Sequence, residues 1–134
     1  MNEPRIRCMV ADDEEGTRVL LSMILEALRQ DVVAQSEDGE QTLQLFRDHR
    51  PDILFLDYYL PDLNGKMVLK RILSDYPNAC VVMLSGGVEP SVIDDCLIAG
   101  AFAWIQKGRP AVDMKKMVAD LIAKYMVVFA KEVS

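Results

Sequence analysis

Residues Met9–Gly16 read MVADDEEG, an apolar run that gives way in one step to four consecutive carboxylates, Asp12 to Glu15. The run that leads into it, Ile6 to Ala11, is interrupted only by Arg7 and has the length and near-continuous apolar character of a strand buried on both faces, as in a parallel sheet covered by helices. Four similar runs follow, at Val32–Ala34, Ile53–Leu56, Cys80–Leu84 and Phe102–Ile105. Between them, apolar residues recur at helical spacing: Leu20, Ile24 and Leu28, then Leu43 and Phe46, then Val68, Ile72 and Leu73, then Val92, Cys96 and Leu97. Each set falls on one face of a helix. Asp38-Gly39, Asn64-Gly65, Pro77-Asn78, Gly86-Gly87 and Gly100 stand at the boundaries, where turn and cap residues belong. Strand and helix thus alternate five times. Because βαβ crossovers are right-handed, the expected fold is α/β, a five-stranded parallel sheet doubly wound with five helices on its two faces.

The rest of the composition bounds the function. A chain of 134 residues holds one ordinary domain, so residues 1–134 are read as a single unit. Fifteen basic against 21 acidic residues give a net charge of −6, which disfavours binding to a phosphate backbone and argues against nucleic acid as a partner of this domain. Cys8, Cys80 and Cys96 are widely spaced and each lies among aliphatic residues, the pattern of reduced core thiols. No apolar run approaches the ~20 residues of a membrane span, and MNEPRIRCMVADD carries no apolar signal-type region. The expectation is a cytoplasmic protein without a membrane partner. His49, the one histidine, falls in the polar stretch Arg47-Asp48-His49-Arg50 and reads as solvated.

In open parallel sheets, ligands bind at the carboxyl ends of the strands, near the point where strand order reverses. Strand one ends in Asp12-Asp13, strand three in Asp57 and strand four in Ser85, and Lys107 lies just beyond strand five. Three carboxylates, a hydroxyl and an ammonium are therefore expected on one rim. Carboxylates so close repel one another unless one is protonated or a cation joins them. Oxygen ligands select a hard ion, and Mg²⁺, content with one or two carboxylates and several waters, suits an open rim. Taken alone, Asp12 and Asp13 read first as caps for a helix beginning near Glu15, and it is Asp57 and Lys107 that shift the reading. FLDYYLPDLNG adds a rigid, partly desolvated carboxylate at Asp57, a setting that suits a nucleophile, and Ser85 and Lys107 add groups that bind phosphoryl oxygens. Singly, Ser85 reads as a turn residue and Lys107 as a solvated lysine. In order, at successive strand ends, the set is hard to obtain by chance.

The segments MVADDEEGTRVLLSMIL, SEDGEQTLQLFRDHRPDILFLDYYLPDLNG, CVVMLSGG and GAFAWIQKGRP together resemble a response-regulator receiver domain, the phosphoacceptor module of two-component signalling, over essentially the whole chain from Ile6. The resemblance implies a flavodoxin-like sheet in the order 2-1-3-4-5. It implies that Asp13 binds Mg²⁺ directly, Asp12 through water, and Tyr59 through its backbone carbonyl. Asp57 would ligate the same ion and accept the phosphoryl group from a phosphohistidine on a sensor histidine kinase or phosphotransfer protein. Ser85 and Lys107 would close on that group, and Trp104 stands where the family carries its switch aromatic. The face of helix four, strand five and helix five would then change its choice of downstream protein partner or output domain. Such a domain speeds its own phosphorylation and dephosphorylation but is not an enzyme for a separate substrate. Where the family commonly has proline after its lysine, this chain has Gly108-Arg109-Pro110, so a differently shaped loop is expected. Tyr59 is large enough to shield an acyl phosphate from water.

The last helix carries a core stripe of Met114, Met117, Val118, Leu121, Ile122, Tyr125 and Phe129, but Met126–Ala130 is apolar all round. One sheet face does not cover such a turn, which points to a homodimer through this helix or a lead into an output domain. Two other functions fit less well. A phosphatase of the haloacid-dehalogenase type resembles Asp-x-Asp at its nucleophile, where this chain has Tyr59, and 134 residues leave no room for a cap domain. A flavodoxin-like cofactor binder needs a phosphate loop after strand one, where Asp12 to Glu15 would repel it.

Overall fold

The computed structural model describes residues 5–129. The chain runs β1 (Arg7–Ala11), α1 (Glu15–Ala27), β2 (Asp31–Ser36), α2 (Gly39–His49), β3 (Ile53–Asp57), α3 (Gly65–Asp75), β4 (Cys80–Ser85), α4 (Pro90–Ile98), β5 (Ala103–Gln106) and α5 (Ala111–Val128). The five strands are all parallel, in the order β2-β1-β3-β4-β5. This is the flavodoxin-like arrangement, and the chain reverses direction across the sheet between β1 and β3.

The central strands β3 and β4 are buried throughout, which is why they read as unbroken apolar runs. The edge strands β2 and β5 are only half-buried. Side chains alternate across each strand, so the sheet has two separate cores. Cys8, Val10, Ile53, Phe55, Val82, Leu84 and Ile105 meet α1 and α5 on one face. Met9, Ala11, Leu54, Leu56, Val81 and Met83 meet α2, α3 and α4 on the other. Burying one Leu or Phe side chain contributes about 1.5–3 kcal/mol.

Details of the helices depart from the spacing. The buried stripe of α1 is Leu21, Ile24 and Leu25; Leu20 lies beside it, partly buried. In α3 it is Val68, Leu69 and Ile72, with Leu73 at the margin. Helix α4 buries Cys96 alone, and Leu97 is exposed. His49 closes α2 and is half-buried. Two boundary residues act as caps: Asp38 accepts from the Gln41 amide and Asn64 from the Met67 amide. The stripe of α5 is as expected, with Met114, Val118, Leu121, Ile122 and Tyr125 buried and Met117, Met126 and Phe129 packed against them. Tyr125 and Phe129 stack at 4.7 Å, and Phe102 meets Phe129 at 5.7 Å. Met126 and Phe129 are therefore partly covered, and the bare part of the last turn is Val127 and Val128, 81% and 57% exposed. Ala130 lies outside the described residues. Among those residues, no helix is long and apolar enough to cross a membrane.

Candidate phosphoacceptor and cation site

Strand register and alternation build the site. Ala11 pairs with Leu56, so Asp12 and Asp57 are the next residues along adjacent strands. Counting by twos, Cys8-Val10-Asp12, Ile53-Phe55-Asp57 and Ile105-Lys107 all belong to the α1/α5 face. Asp12, Asp57 and Lys107 are thereby directed to one place. The same parity sets Ser85 and Trp104 out of step with these three, in line with Val81-Met83, and Trp104 packs with the α2–α4 core.

Asp12 is fully buried, Asp57 is 2% exposed and Asp13 is exposed. Ligand oxygens of all three lie within 4.8 Å of one another, so Asp12, Asp13 and Asp57 could hold one metal ion. The Lys107 ammonium is also there. Its Nζ lies 2.8 Å from Asp12 Oδ2, 3.4 Å from Asp57 Oδ2 and 2.7 Å from Glu14 Oε1. Asp12 Oδ2 is buried and lacks a well-angled hydrogen bond, so its contact with Lys107 is an ion pair only. Asp12 Oδ1 accepts from the Glu14 amide. Asp12 thus faces the cluster and holds the amide of Glu14, the residue before α1, but the first turn of α1 receives no side-chain cap from the acidic pair.

Burial, with the neighbouring Asp12 charge adding to it, pushes the Asp57 carboxyl from its ordinary 3.8 up to about 6, against the opposing pull of Lys107. The Lys107 pKa is raised as well: burial works against its charge, but the acids around it win. Its hydrogen bond to that ammonium lowers the pKa of the exposed Glu14.

Around this centre the loops are tightly placed. The Tyr59 amide donates to Asp57 Oδ1 at 3.2 Å, and the Tyr59 side chain is exposed, its ring edge-on to Tyr58. The Gly65 amide donates to the Tyr58 carbonyl, and a Cβ at Gly65 would lie 2.6 Å from the Asp57 carbonyl oxygen. Only glycine lets α3 start so close to the end of β3. Ser85 is buried, lines the same open cleft as Asp13, Glu14, Asp57, Tyr59 and Lys107, and its hydroxyl donates to the Gly86 carbonyl at 3.3 Å. It is not joined to Asp57. Trp104 is half-buried against the α2–α4 core and does not line the cleft. After Lys107 the loop turns through Gly108 at φ +85°, a conformation glycine takes without strain.

Two residues of the site were not singled out from the sequence. Glu14 reads there only as one of four consecutive carboxylates, yet it is a direct partner of Lys107. Arg18 is buried on α1, donating to the Asp12 carbonyl at 2.7 Å and pairing with Glu37 at 3.2 Å. An arginine three places before Leu21, on the core-facing side of an otherwise apolar stripe, was the available signal.

The family model for the response regulator receiver domain matches residues 8–119. The protein-glutamate methylesterase/protein-glutamine glutaminase of Haloarcula marismortui is 33% identical over 132 residues, which is 96% of this chain and 36% of that protein. The transcriptional regulatory protein DegU of Brevibacillus brevis is 29% identical, with 98% of this chain and 52% of that protein covered. The chain therefore spans about a third to a half of the length of these relatives. It is 31% identical to the chemotaxis protein CheY of Bacillus subtilis, over 75% of this chain and 84% of that one. Among solved structures, a chain of the CheX-CheY-BeF3-Mg²⁺ complex from Borrelia burgdorferi superposes with a TM-score of 0.82 at 27% identity, covering 92% of this chain and 89% of that chain. Fold and sequence agree, and the chain belongs to the response regulator receiver domain family.

Proposed function

We propose that this receiver domain is a phosphorylation-dependent switch in which Asp57 accepts a phosphoryl group from a phosphohistidine of a sensor histidine kinase or phosphotransfer protein, with Mg²⁺ bound beside it. The observation that carries this reading is the juxtaposition of a buried Asp57 carboxylate with Asp12, Asp13 and Lys107 at the carboxyl ends of β1, β3 and β5. An Asp57 oxygen attacks phosphorus, the phosphorus–nitrogen bond of the donor breaks, and the released imidazole takes up a proton from solvent. Atoms and charge balance without a further reagent.

The residues fit the ion. The donor set is all oxygen, one buried carboxylate oxygen of Asp12 meets only the Lys107 ammonium, as an ion pair, and two buried acids stand close to a third. Asp13 and Asp57 would hold Mg²⁺ directly, Asp12 through water, and Tyr59 through its backbone carbonyl. When bound, Mg²⁺ supplies charge neutralisation for the transferring phosphoryl oxygens. Lys107, already within 3.4 Å of Asp57, binds one of those oxygens. The buried Ser85 hydroxyl turns from the Gly86 carbonyl toward another, and Trp104 moves behind it, altering the face of α4, β5 and α5. Tyr59, an exposed residue lining the cleft, slows hydrolysis.

The domain acts through protein contacts and has no separate substrate. Residues 1–134 form one receiver unit acting in the cytoplasm. Val127 and Val128 extend the output surface to a second copy of the chain or to an output domain. The test is incubation with Mg²⁺ and a small phosphodonor, read by intact mass and by Trp104 fluorescence. A gain of one phosphoryl group, with fluorescence changes on adding Mg²⁺ and again on adding the donor, all lost in Asp57→Ala, supports the reading. A flat signal with no mass gain refutes it.

A further inference from the structure

We propose that Glu14 is a positioning residue for Lys107, a carboxylate outside the cation site that holds the ammonium between Asp57 and solvent and competes with an incoming phosphoryl group for it. This rests on the phosphoacceptor reading of Asp57.

The acids around Lys107 are of two kinds. Asp12 and Asp57 are buried and belong to the set that could hold a metal. Glu14 does not belong to that set, its side chain is 64% exposed, and it nevertheless makes the shortest contact to Nζ, 2.7 Å. Its backbone is fixed at the start of α1: its amide donates to Asp12 Oδ1 at 2.9 Å, and its carbonyl accepts from the Arg18 amide at 3.1 Å. The Thr17 hydroxyl reaches the same carboxylate oxygen at 3.5 Å. Glu14 is thus a held carboxylate rather than a wandering surface acid.

The consequence follows from charge counting. Without a divalent ion, Lys107 is the cation that separates the Asp12 and Asp57 charges. A divalent ion takes over that task, and of the three anionic partners of the ammonium only Glu14 stays outside the cation set. Glu14 therefore eases the exchange of Lys107 for the ion. Once the ion is in place, the same contact draws the ammonium away from the phosphoryl oxygens it should bind.

Glu14→Gln keeps the size of the side chain and removes its charge. Calorimetric titration of the metal-free protein with Mg²⁺ should show affinity lowered about 1.5- to 5-fold, the range for one partly exposed ion pair. At saturating Mg²⁺, phosphorylation by a small phosphodonor should speed up by a similar factor. In a Lys107→Met background the Glu14→Gln effect on Mg²⁺ affinity should fall to less than half, because no ammonium has to be displaced. Equal effects in both backgrounds would mean that Glu14 acts only as a distant negative charge, and would overturn the proposal. Should Lys107→Met fail to fold, the ¹H–¹⁵N signal of the Lys107 ammonium decides instead: Glu14→Gln should shift it and hasten its proton exchange, and an unchanged signal overturns the contact. A native chain that takes up no phosphoryl group sinks the function of the site and this competition with it. Native uptake with no response to Glu14→Gln sinks the competition alone.

Discussion

Replacing Asp57 by asparagine should make the metal-free protein more stable, by an amount that depends on pH in a defined direction. The Asp57 carboxyl is raised from 3.8 to about 6, first by burial and then by the Asp12 charge. Its folded pKa thus lies above its unfolded one, so between the two values the folded state binds the extra proton. Stability is then highest below about pH 4 with respect to this group, and is lost as pH rises through 6. Above pH 7 the ionised carboxylate costs roughly 3 kcal/mol, the span from 3.8 to about 6 at 1.36 kcal/mol per tenfold change in proton activity. With Asp57 only 2% exposed, little of that is screened by solvent. The substituted amide would carry no charge and can still accept the hydrogen bond from the Tyr59 amide. A gain of about 1–3 kcal/mol at pH 7.5 is expected, or roughly 4 °C in Tm per kcal/mol for a chain of this length. Thermal unfolding in EDTA at pH 7.5 and pH 4 is the assay, and the gain should vanish at the lower pH. Added Mg²⁺ should narrow the difference by stabilising the native chain. An Asp57→Asn protein that is less stable at pH 7.5 in EDTA, or whose gain is the same at both pH values, would refute the reasoning.

Other expectations follow from the same geometry. Gly65→Ala places a Cβ 2.6 Å from the Asp57 carbonyl oxygen and 2.7 Å from the Tyr58 Cα, backbone that cannot move aside cheaply. It should cost about 1–3 kcal/mol in denaturant unfolding and weaken Mg²⁺ binding, whereas Gly16→Ala, with nothing within 4 Å, should do neither. Cys8 and Cys80 are buried thiols pushed up to about 12 by burial, so a thiol reagent at pH 8 should label them only as fast as the protein unfolds. Labelling at the rate of a free thiol would contradict the packing of the α1/α5 core. Tyr59→Ala should shorten the life of the phosphorylated form, and an unchanged dephosphorylation rate would remove Tyr59 as its shield.

The parts legible in the sequence were those governed by short-range regularity. Ile53–Leu56 and Cys80–Leu84 announced central strands because both faces of each are buried, and the parallel order followed from the helices between them. Asp38 and Asn64 declared their helix starts because capping needs only a local carbonyl-type oxygen. Asp12, Asp13, Asp57 and Lys107 could be placed on one rim from their positions at strand ends alone. Exact faces were harder: Leu20 and Leu21 both fit a helical stripe, and the register that buries Leu21 is set by α1 lying on β1 and β2 rather than by spacing. Ser85 was read from its place at the end of β4 and does line the cleft with Asp57, whereas Trp104, placed by resemblance alone, packs with the α2–α4 core because the two-residue alternation of β5 sets it out of step with Lys107. The tie between Glu14 and Lys107 joins residues 93 positions apart, and no local pattern carries that distance. Asp62, which accepts from the Gly39 and Glu40 amides and so clamps the loop after β3 to the start of α2, is another long-range cap invisible to spacing.

The claim on which the function rests is that Asp57 receives the phosphoryl group beside the acids of β1. The most direct measurement is to phosphorylate the native chain in Mg²⁺ with a small phosphodonor, reduce the acyl phosphate with borohydride, and locate the resulting homoserine by peptide sequencing in a mass spectrometer. Conversion at position 57, abolished by EDTA and greatly diminished in Asp13→Asn, is the predicted result. Conversion at another carboxylate, or at position 57 with no dependence on Mg²⁺ or Asp13, would contradict the account.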